Sequence, residues 1–237
     1  MKTIIFDVDD TLYDQAQSFH RTFHRHISDN YSYEEIDKVY RASRKYSEQL
    51  FDQSEAGEIT VYQWQTERFR MACHDFGMEM STQQAETFDR GYKEEQSNIQ
   101  LFPEVRQLLD ELFQQGKQLA ILTNGEEQRQ MLKIKQLQLM KWIPDDHIFI
   151  SGSYGVAKPN KAIFDIVAEG LQCNPEQTIY VGDSYEKDMV GAKQLNWHTV
   201  WMNHRHHPAT KSVHENVNVE VHHADQLLDY FLARQQA

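Results

Sequence analysis

Apolar positions along this chain change their period twice. Thr3, Ile4, Ile5 and Phe6 form a short β-branched and aromatic run, the pattern of a buried strand, and it stops abruptly at Asp7, Asp9, Asp10 and Asp14. From Gln15 to about Gln100 the period is helical. Phe19, Phe23 and Ile27 recur every four residues on one face. Ser32 with Glu35, Thr60 with Gln63 and Ser81 with Gln84 each have the form of a capping box. The apolar sets Ile36, Val39 and Tyr40, then Trp64, Phe69 and Met71, then Ala85, Phe88 and Tyr92 follow them. Four helices in this stretch predict a small antiparallel bundle with its own core.

Near Phe102-Pro103 the texture changes to alternating helices and strands. Val105, Leu108, Leu109 and Leu112 mark a helix ending at Gly116, and the strand candidates are 118–122, 147–150, 178–181 and 198–201. Met131, Leu132, Ile134 and Leu137 mark the helix between the first two, and further helices are expected over 162–171 and through Ala192. Residues 218–221 offer an edge strand before a last helix over 224–232. Such alternation is the signature of an α/β protein with a parallel sheet covered on both faces. The first strand cannot make a sheet by itself, so it must pair with strands more than a hundred residues away. The expected organisation is one α/β core domain from residues 1–14 and 101–237, carrying a helical domain, 15–100, as an insertion.

Composition narrows the class. Of 237 residues 40% are apolar and 25% charged, ordinary for a globular protein. Thirty-six acids against 24 Lys and Arg give a net charge of −12, which argues against a nucleic-acid backbone or an anionic membrane as the main partner. Two cysteines, Cys73 and Cys173, stand in unrelated contexts and support neither a disulfide framework nor a thiolate zinc site. The N-terminal apolar run is too short for a signal peptide, and no later run approaches the ~18 residues that span a bilayer. A cytoplasmic protein is expected.

The chemistry is expected where strands end. Side chains two apart on an extended chain point the same way, so Asp7 and Asp9 are expected to face one point beyond the first strand. In open α/β sheets, ligands bind at that edge. Two carboxylates repel by roughly 4 kcal/mol at 4 Å with an effective dielectric of about 20. A shared proton, a cation or both must offset this, and oxygen ligands favour Mg²⁺ or Ca²⁺. An aspartate is also able to act as a nucleophile toward a phosphoryl group. Thr123-Asn124-Gly125 offers a hydroxyl and backbone N–H groups for an anion. Lys158, held out of helix by Pro159, carries an ammonium able to neutralise a phosphate and a carboxylate. Asp183 ends the fourth strand, and Asp188 lies in the first turn of the next helix.

In order, FDVDDT (6–11), LTNG (122–125), KP (158–159) and VGDSYEKD (181–188) resemble the four motifs of the haloacid dehalogenase (HAD) superfamily. The helical insertion is similar to the C1-type cap of its first subfamily, and DDTLYD resembles its phosphatase and nucleotidase-like members. The resemblance implies a Rossmann-like core with strand order 5-4-1-2-3. It also implies Mg²⁺-dependent hydrolysis of a small-molecule phosphate monoester, of nucleotide or sugar-phosphate type, through an aspartyl-phosphate. Asp7 would be the nucleophile, and Asp9 would protonate the leaving oxygen and later activate water. Thr123 and the Asn124 backbone would hold the phosphoryl oxygens, with Lys158 neutralising charge. Mg²⁺ would be held by Asp7, the Asp9 backbone carbonyl and Asp183, with Asp188 acting through water or from behind them. A phosphomutase is the nearest alternative, followed by a haloacid dehalogenase or a non-catalytic binding module.

Outside these motifs, seven of the 12 histidines fall between His198 and His223 with irregular spacing and are expected to be incidental surface residues. His20 and His24 sit four apart on the first inserted helix, placed to share a metal or, more simply, to flank the cap's entrance. Tyr62, Trp64, Arg68 and Arg70 are the insertion's candidates for reading a base or a second charge on the substrate.

Overall fold

The computed structural model describes residues 2–207 and 213–234. The chain opens with β1 (Thr3–Phe6) and passes into four helices, α1 (Ala16–His26), α2 (Tyr33–Glu55), α3 (Val61–Asp75) and α4 (Thr82–Gln96). It continues through α5 (Pro103–Gln114), β2 (Gln118–Thr123), α6 (Glu127–Gln136), β3 (Ile148–Ile150), α7 (Ser151–Tyr154) and α8 (Lys161–Leu171). Next come β4 (Thr178–Gly182), a widened π-type turn (Tyr185–Met189), α9 (Val190–Lys193) and β5 (His198–Met202). The last elements are α10 (Val213–Asn216), β6 (Val219–Val221) and α11 (Ala224–Ala233). Two compact units result, Met1–Asp14 with Gln100–Ala237, and Gln15–Ile99.

Among the described residues, the six strands of the first unit are all parallel, in the order β3-β2-β1-β4-β5-β6. This is the expected five-strand order with an edge strand added. β1 lies between β2 and β4, with Phe6 opposite Ile121 and Val181. That register puts Asp7, Thr123 and Asp183 at the same edge within about two residues of one another. On one face Ile5, Ala120, Leu122 and Tyr180 pack with Ile163, Phe164, Val167 and Leu171 of α8 and with Trp197. α5 buries Val105, Leu108, Leu109 and Leu112, and α11 buries Leu227, Leu228 and Phe231. Each fully buried side chain of this size contributes about 1.5–3 kcal/mol.

The second unit is a helical bundle whose core includes Phe19, Phe23, Ile36, Val39, Phe69, Phe88 and Tyr92. Phe19 meets Phe88 edge-on at 5.1 Å and Tyr40 at 5.5 Å. Capping boxes form at Thr60 with Gln63 and at Ser81 with Gln84, and Glu35 accepts from the Ser32 N–H at 2.8 Å. Among the described residues, no helix is long and apolar enough to cross a membrane.

Candidate active site

β1 ends at Phe6 and delivers Asp7 to the C-terminal edge of the sheet, where its N–H donates to Val181 O at 2.9 Å. The Asp7 side chain is buried, and one carboxylate oxygen each from Asp7, Asp183 and Asp188 lies within 4.8 Å of the others. Lys158 reaches this trio from the loop after α7. Its buried ammonium donates to Asp7 Oδ1 at 2.8 Å and Asp188 Oδ1 at 2.6 Å, and lies 3.1 Å from Leu122 O and 3.0 Å from the Tyr180 hydroxyl. Tyr180 donates to Leu122 O at 3.0 Å and stands 3.1 Å from Asp188 Oδ1, while the Ser184 N–H donates to Asp188 Oδ2 at 2.9 Å. Asp188 is thus held on both oxygens and orients Lys158 in turn. It sits in the widened turn after β4, and it fits because Gly182 has no side chain: a Cβ there would collide with the Asp188 carboxylate.

Two loops hold Lys158 in place. Asn124 Oδ1 accepts from the Lys158 N–H at 2.9 Å, and its Nδ2 donates to Lys158 O at 3.0 Å. Gly125 N–H donates to Ser151 Oγ, and Gly152 N–H to Gly125 O, each at 3.0 Å. Thr123 is buried at the end of β2, one strand from Asp7. Asn124 therefore does more than sequence reasoning assigned to it: its side chain clamps the Lys158 segment to the loop after β2.

Burial pushes the Asp7 carboxyl up to about 6; Lys158 pulls it down and Asp188 raises it further. Asp183 is raised well above the usual carboxylate range by burial and by the neighbouring Asp7 and Asp188. Burial would lower the Lys158 pKa, but Asp188 and Asp7 outweigh it and hold the ammonium firmly protonated. Three carboxylates against one ammonium leave two negative charges uncompensated when all are ionised. An all-oxygen donor set with that deficit fits a hard divalent cation.

Asp9 departs from expectation. Regular strand geometry ends before it, and the chain bends back, with Leu12 N–H donating to Val8 O at 3.0 Å and Asp10 in the left-handed region at φ 55°. Alternation holds only for extended chain, so the Asp7 and Asp9 side chains do not share a partner. The Asp9 carboxylate is gripped by Lys133 Nζ at 2.6 Å, by Gln130 Nε2 at 3.1 Å and by the Tyr13 hydroxyl. Burial raises its pKa, and Lys133 with the three hydrogen bonds outweighs burial, leaving the carboxyl below its ordinary range.

Lys133, Gln130 and Tyr180 were missed in the sequence. The available signal was on α6, where Gln130 shares the buried face with Ile134 while Leu132 is 68% exposed. A second correction concerns the histidines. His204 is largely buried, with Nε2 3.5 Å from Asp10 Oδ1, and its neighbour Arg205 pairs with Asp10 at 2.8 Å and Asp14 at 2.5 Å. His198 contacts the Tyr230 hydroxyl at 2.7 Å, and burial lowers its pKa to about 4. His206 stacks on His222 at 5.1 Å, and the side chain of His214 lies outside the described residues.

In the helical unit, His20 is buried and stacks on Tyr33 at 4.1 Å, whereas His24 faces Asp29 at 3.4 Å, so the two do not act as a pair. The four expected readers have partners inside that unit. Tyr62 bonds Glu86, Trp64 Nε1 donates to Ser47 O at 2.9 Å, Arg68 pairs with Asp89 at 3.3 Å, and Arg70 pairs with Glu67 at 2.7 Å.

A parallel sheet of this order, with acids from two of its strands and a lysine meeting at its C-terminal edge, defines a hydrolase of the haloacid dehalogenase-like class. The chain belongs to that family, whose profile, "Haloacid dehalogenase-like hydrolase", matches residues 4–202. It is 29% identical over 209 residues to HAD-hydrolase YfnB of Bacillus subtilis, covering 85% of this chain and 84% of that protein. The magnesium-bound crystal structure of YfnB superposes with a TM-score of 0.66 at 25% identity over 97% of both chains. Shorter matches join it to the glyceraldehyde 3-phosphate phosphatase of Pyrococcus furiosus, 35% identical over 99 residues, 42% of this chain and 40% of that enzyme. The pyrimidine 5'-nucleotidase YjjG of Escherichia coli is 33% identical over 113 residues, 46% of this chain and 49% of the enzyme. The chain thus matches less than half the length of these two phosphatases.

Proposed function

We propose that the protein is a phosphatase that hydrolyses a small-molecule phosphate monoester, of nucleotide or sugar-phosphate type, through an aspartyl-phosphate on Asp7. The observation that carries this reading is the trio of Asp7, half-buried Asp183 and Asp188, with the buried Lys158 paired to Asp7 and Asp188. A nucleophilic carboxylate attacking a phosphate dianion needs positive charge where the negative charges meet. Mg²⁺ held by Asp7, the Asp9 backbone carbonyl and Asp183, with Asp188 behind them, would supply that charge. The names of the phosphatase relatives point to the same ester chemistry.

Asp9, held ionised by Lys133, Gln130 and Tyr13 in the free protein, takes up a proton as the ester binds. It gives that proton to the departing oxygen as Asp7 attacks phosphorus and the ester P–O bond breaks. Asp9, now ionised, takes a proton from water; the hydroxide attacks the aspartyl-phosphate, phosphate leaves and Asp7 is regenerated. Thr123 and the Asn124 N–H hold phosphoryl oxygens, and Lys158 offsets their charge. Asp188 and Tyr180 keep the ammonium aimed.

A panel of nucleoside monophosphates, sugar phosphates and phosphoglycolate, assayed with Mg²⁺, tests the reading. Phosphate release is expected for at least one ester and a loss of 10³-fold or more in Asp7→Asn. Retained turnover in that variant, or an isomerised sugar phosphate without net phosphate release, overturns it.

A further inference from the structure

The grip on Asp9 is more elaborate than a fold contact requires. Both carboxylate oxygens are occupied, Oδ1 by the Tyr13 hydroxyl and Oδ2 by Lys133 and Gln130. Gln130 is 5% exposed, and Lys133 Nζ stands only 2.6 Å from its carboxylate oxygen. Both come from the inward side of α6, beside the fully buried Ile134, where apolar residues would pack at lower desolvation cost. The same Gln130 Nε2 also donates to Asn124 O at 2.9 Å. Room for this is made at Gly125, whose φ of 151° suits only glycine and where a Cβ would stand 2.7 Å from Gln130 Nε2. One amide group thus joins Asp9 to the loop after β2.

From this geometry we infer that Lys133, with Gln130, is a positioning residue for Asp9: α6 holds the acid and the phosphate-facing loop at Asn124 as one body, so that the Asp9 carboxylate meets the leaving oxygen of an ester bound there. This rests on the proposed phosphatase function and deepens it. Lys133 touches neither substrate nor metal in the proposal; it acts through Asp9 alone. Its removal should be felt in proportion to how much the leaving group needs a proton.

Alkyl phosphates need that proton and p-nitrophenyl phosphate does not. In Lys133→Met, kcat for the best alkyl phosphate is expected to fall at least ten times more than kcat for p-nitrophenyl phosphate, with little change in KM. Lys133→Arg, which keeps a cation in reach, should restore most of that difference. Equal losses on both esters, or failure of arginine to rescue, overturn the inference. Thermal unfolding of Asp9→Asn, Lys133→Met and the double variant reads the contact without turnover. Tm shifts that fail to add are expected, and strictly additive shifts sink the inference even for protein inactive on every ester. Absence of turnover by the unmodified protein, with non-additive shifts intact, counts instead against the phosphatase reading.

Discussion

Asp183 is the acid whose charge can be removed with the least harm to the fold. Its carboxyl is raised by burial and then by Asp7 and Asp188, so its ionised form is electrostatically costly. Asparagine keeps the shape and removes one of the two uncompensated charges. In Asp183→Asn the Mg²⁺ concentration for half-maximal activity should rise at least tenfold, while the Tm without metal holds or increases. An unchanged metal titration removes Asp183 from the ligands. Asp7 and Asp183 were legible in the sequence because each directly follows a buried strand, and a strand end is a place as well as a pattern. The partners of Asp9 were not. Gln130 and Lys133 lie 121 and 124 residues away on a helix whose buried face the apolar residues do not mark, since Gln130 is buried and Leu132 exposed. Arg205 is more remote still, 191 residues from Asp14, and no local pattern announces such a pairing.

The turn after β4 sets the site at the level of elements. Gly182 ends the strand with no side chain, and Asp188 fills that space from a π-type turn, a distortion common at functional sites. In Gly182→Ala the new methyl should drive the Asp188 carboxylate off Lys158, Tyr180 and the Ser184 N–H. Overpacking and lost hydrogen bonds together predict a cost of about 1–3 kcal/mol and a marked loss of turnover. Wild-type Tm and full activity in that variant would show that Asp188 has other room. The motif VGDSYEKD marked this turn, but its π-type widening was not legible, since no residue pattern in the motif distinguishes it from an ordinary helical turn. The capping boxes at Ser32, Thr60 and Ser81 were legible because both of their hydrogen bonds close within four residues.

At the scale of the whole molecule, a chain of net charge −12 concentrates three carboxylates at the edge of one sheet, and with the proposed cation site this would tie stability to both protons and divalent cations. Asp7 rises from 3.8 to about 6 on folding, and Asp183 rises well above 3.8. Groups raised in this way bind more protons folded than unfolded. Their contribution is fully present below about pH 4 and is lost as pH climbs through the folded values. Without metal, this cluster therefore favours the fold more at pH 5 than at pH 8. A cation binding the same oxygens reverses the balance: it adds stability as its concentration exceeds its Kd, and protons compete with it in the acid. Each kcal/mol moves the Tm by about 2–4 °C in a chain of this size. The Tm increase produced by 10 mM Mg²⁺ over EDTA, read by scanning calorimetry, should be several degrees larger at pH 8 than at pH 5, and small at both in Asp183→Asn. Comparing the two increments cancels titrations elsewhere, such as that of His198. Equal increments at the two pH values would mean that magnesium acts somewhere other than these three carboxylates.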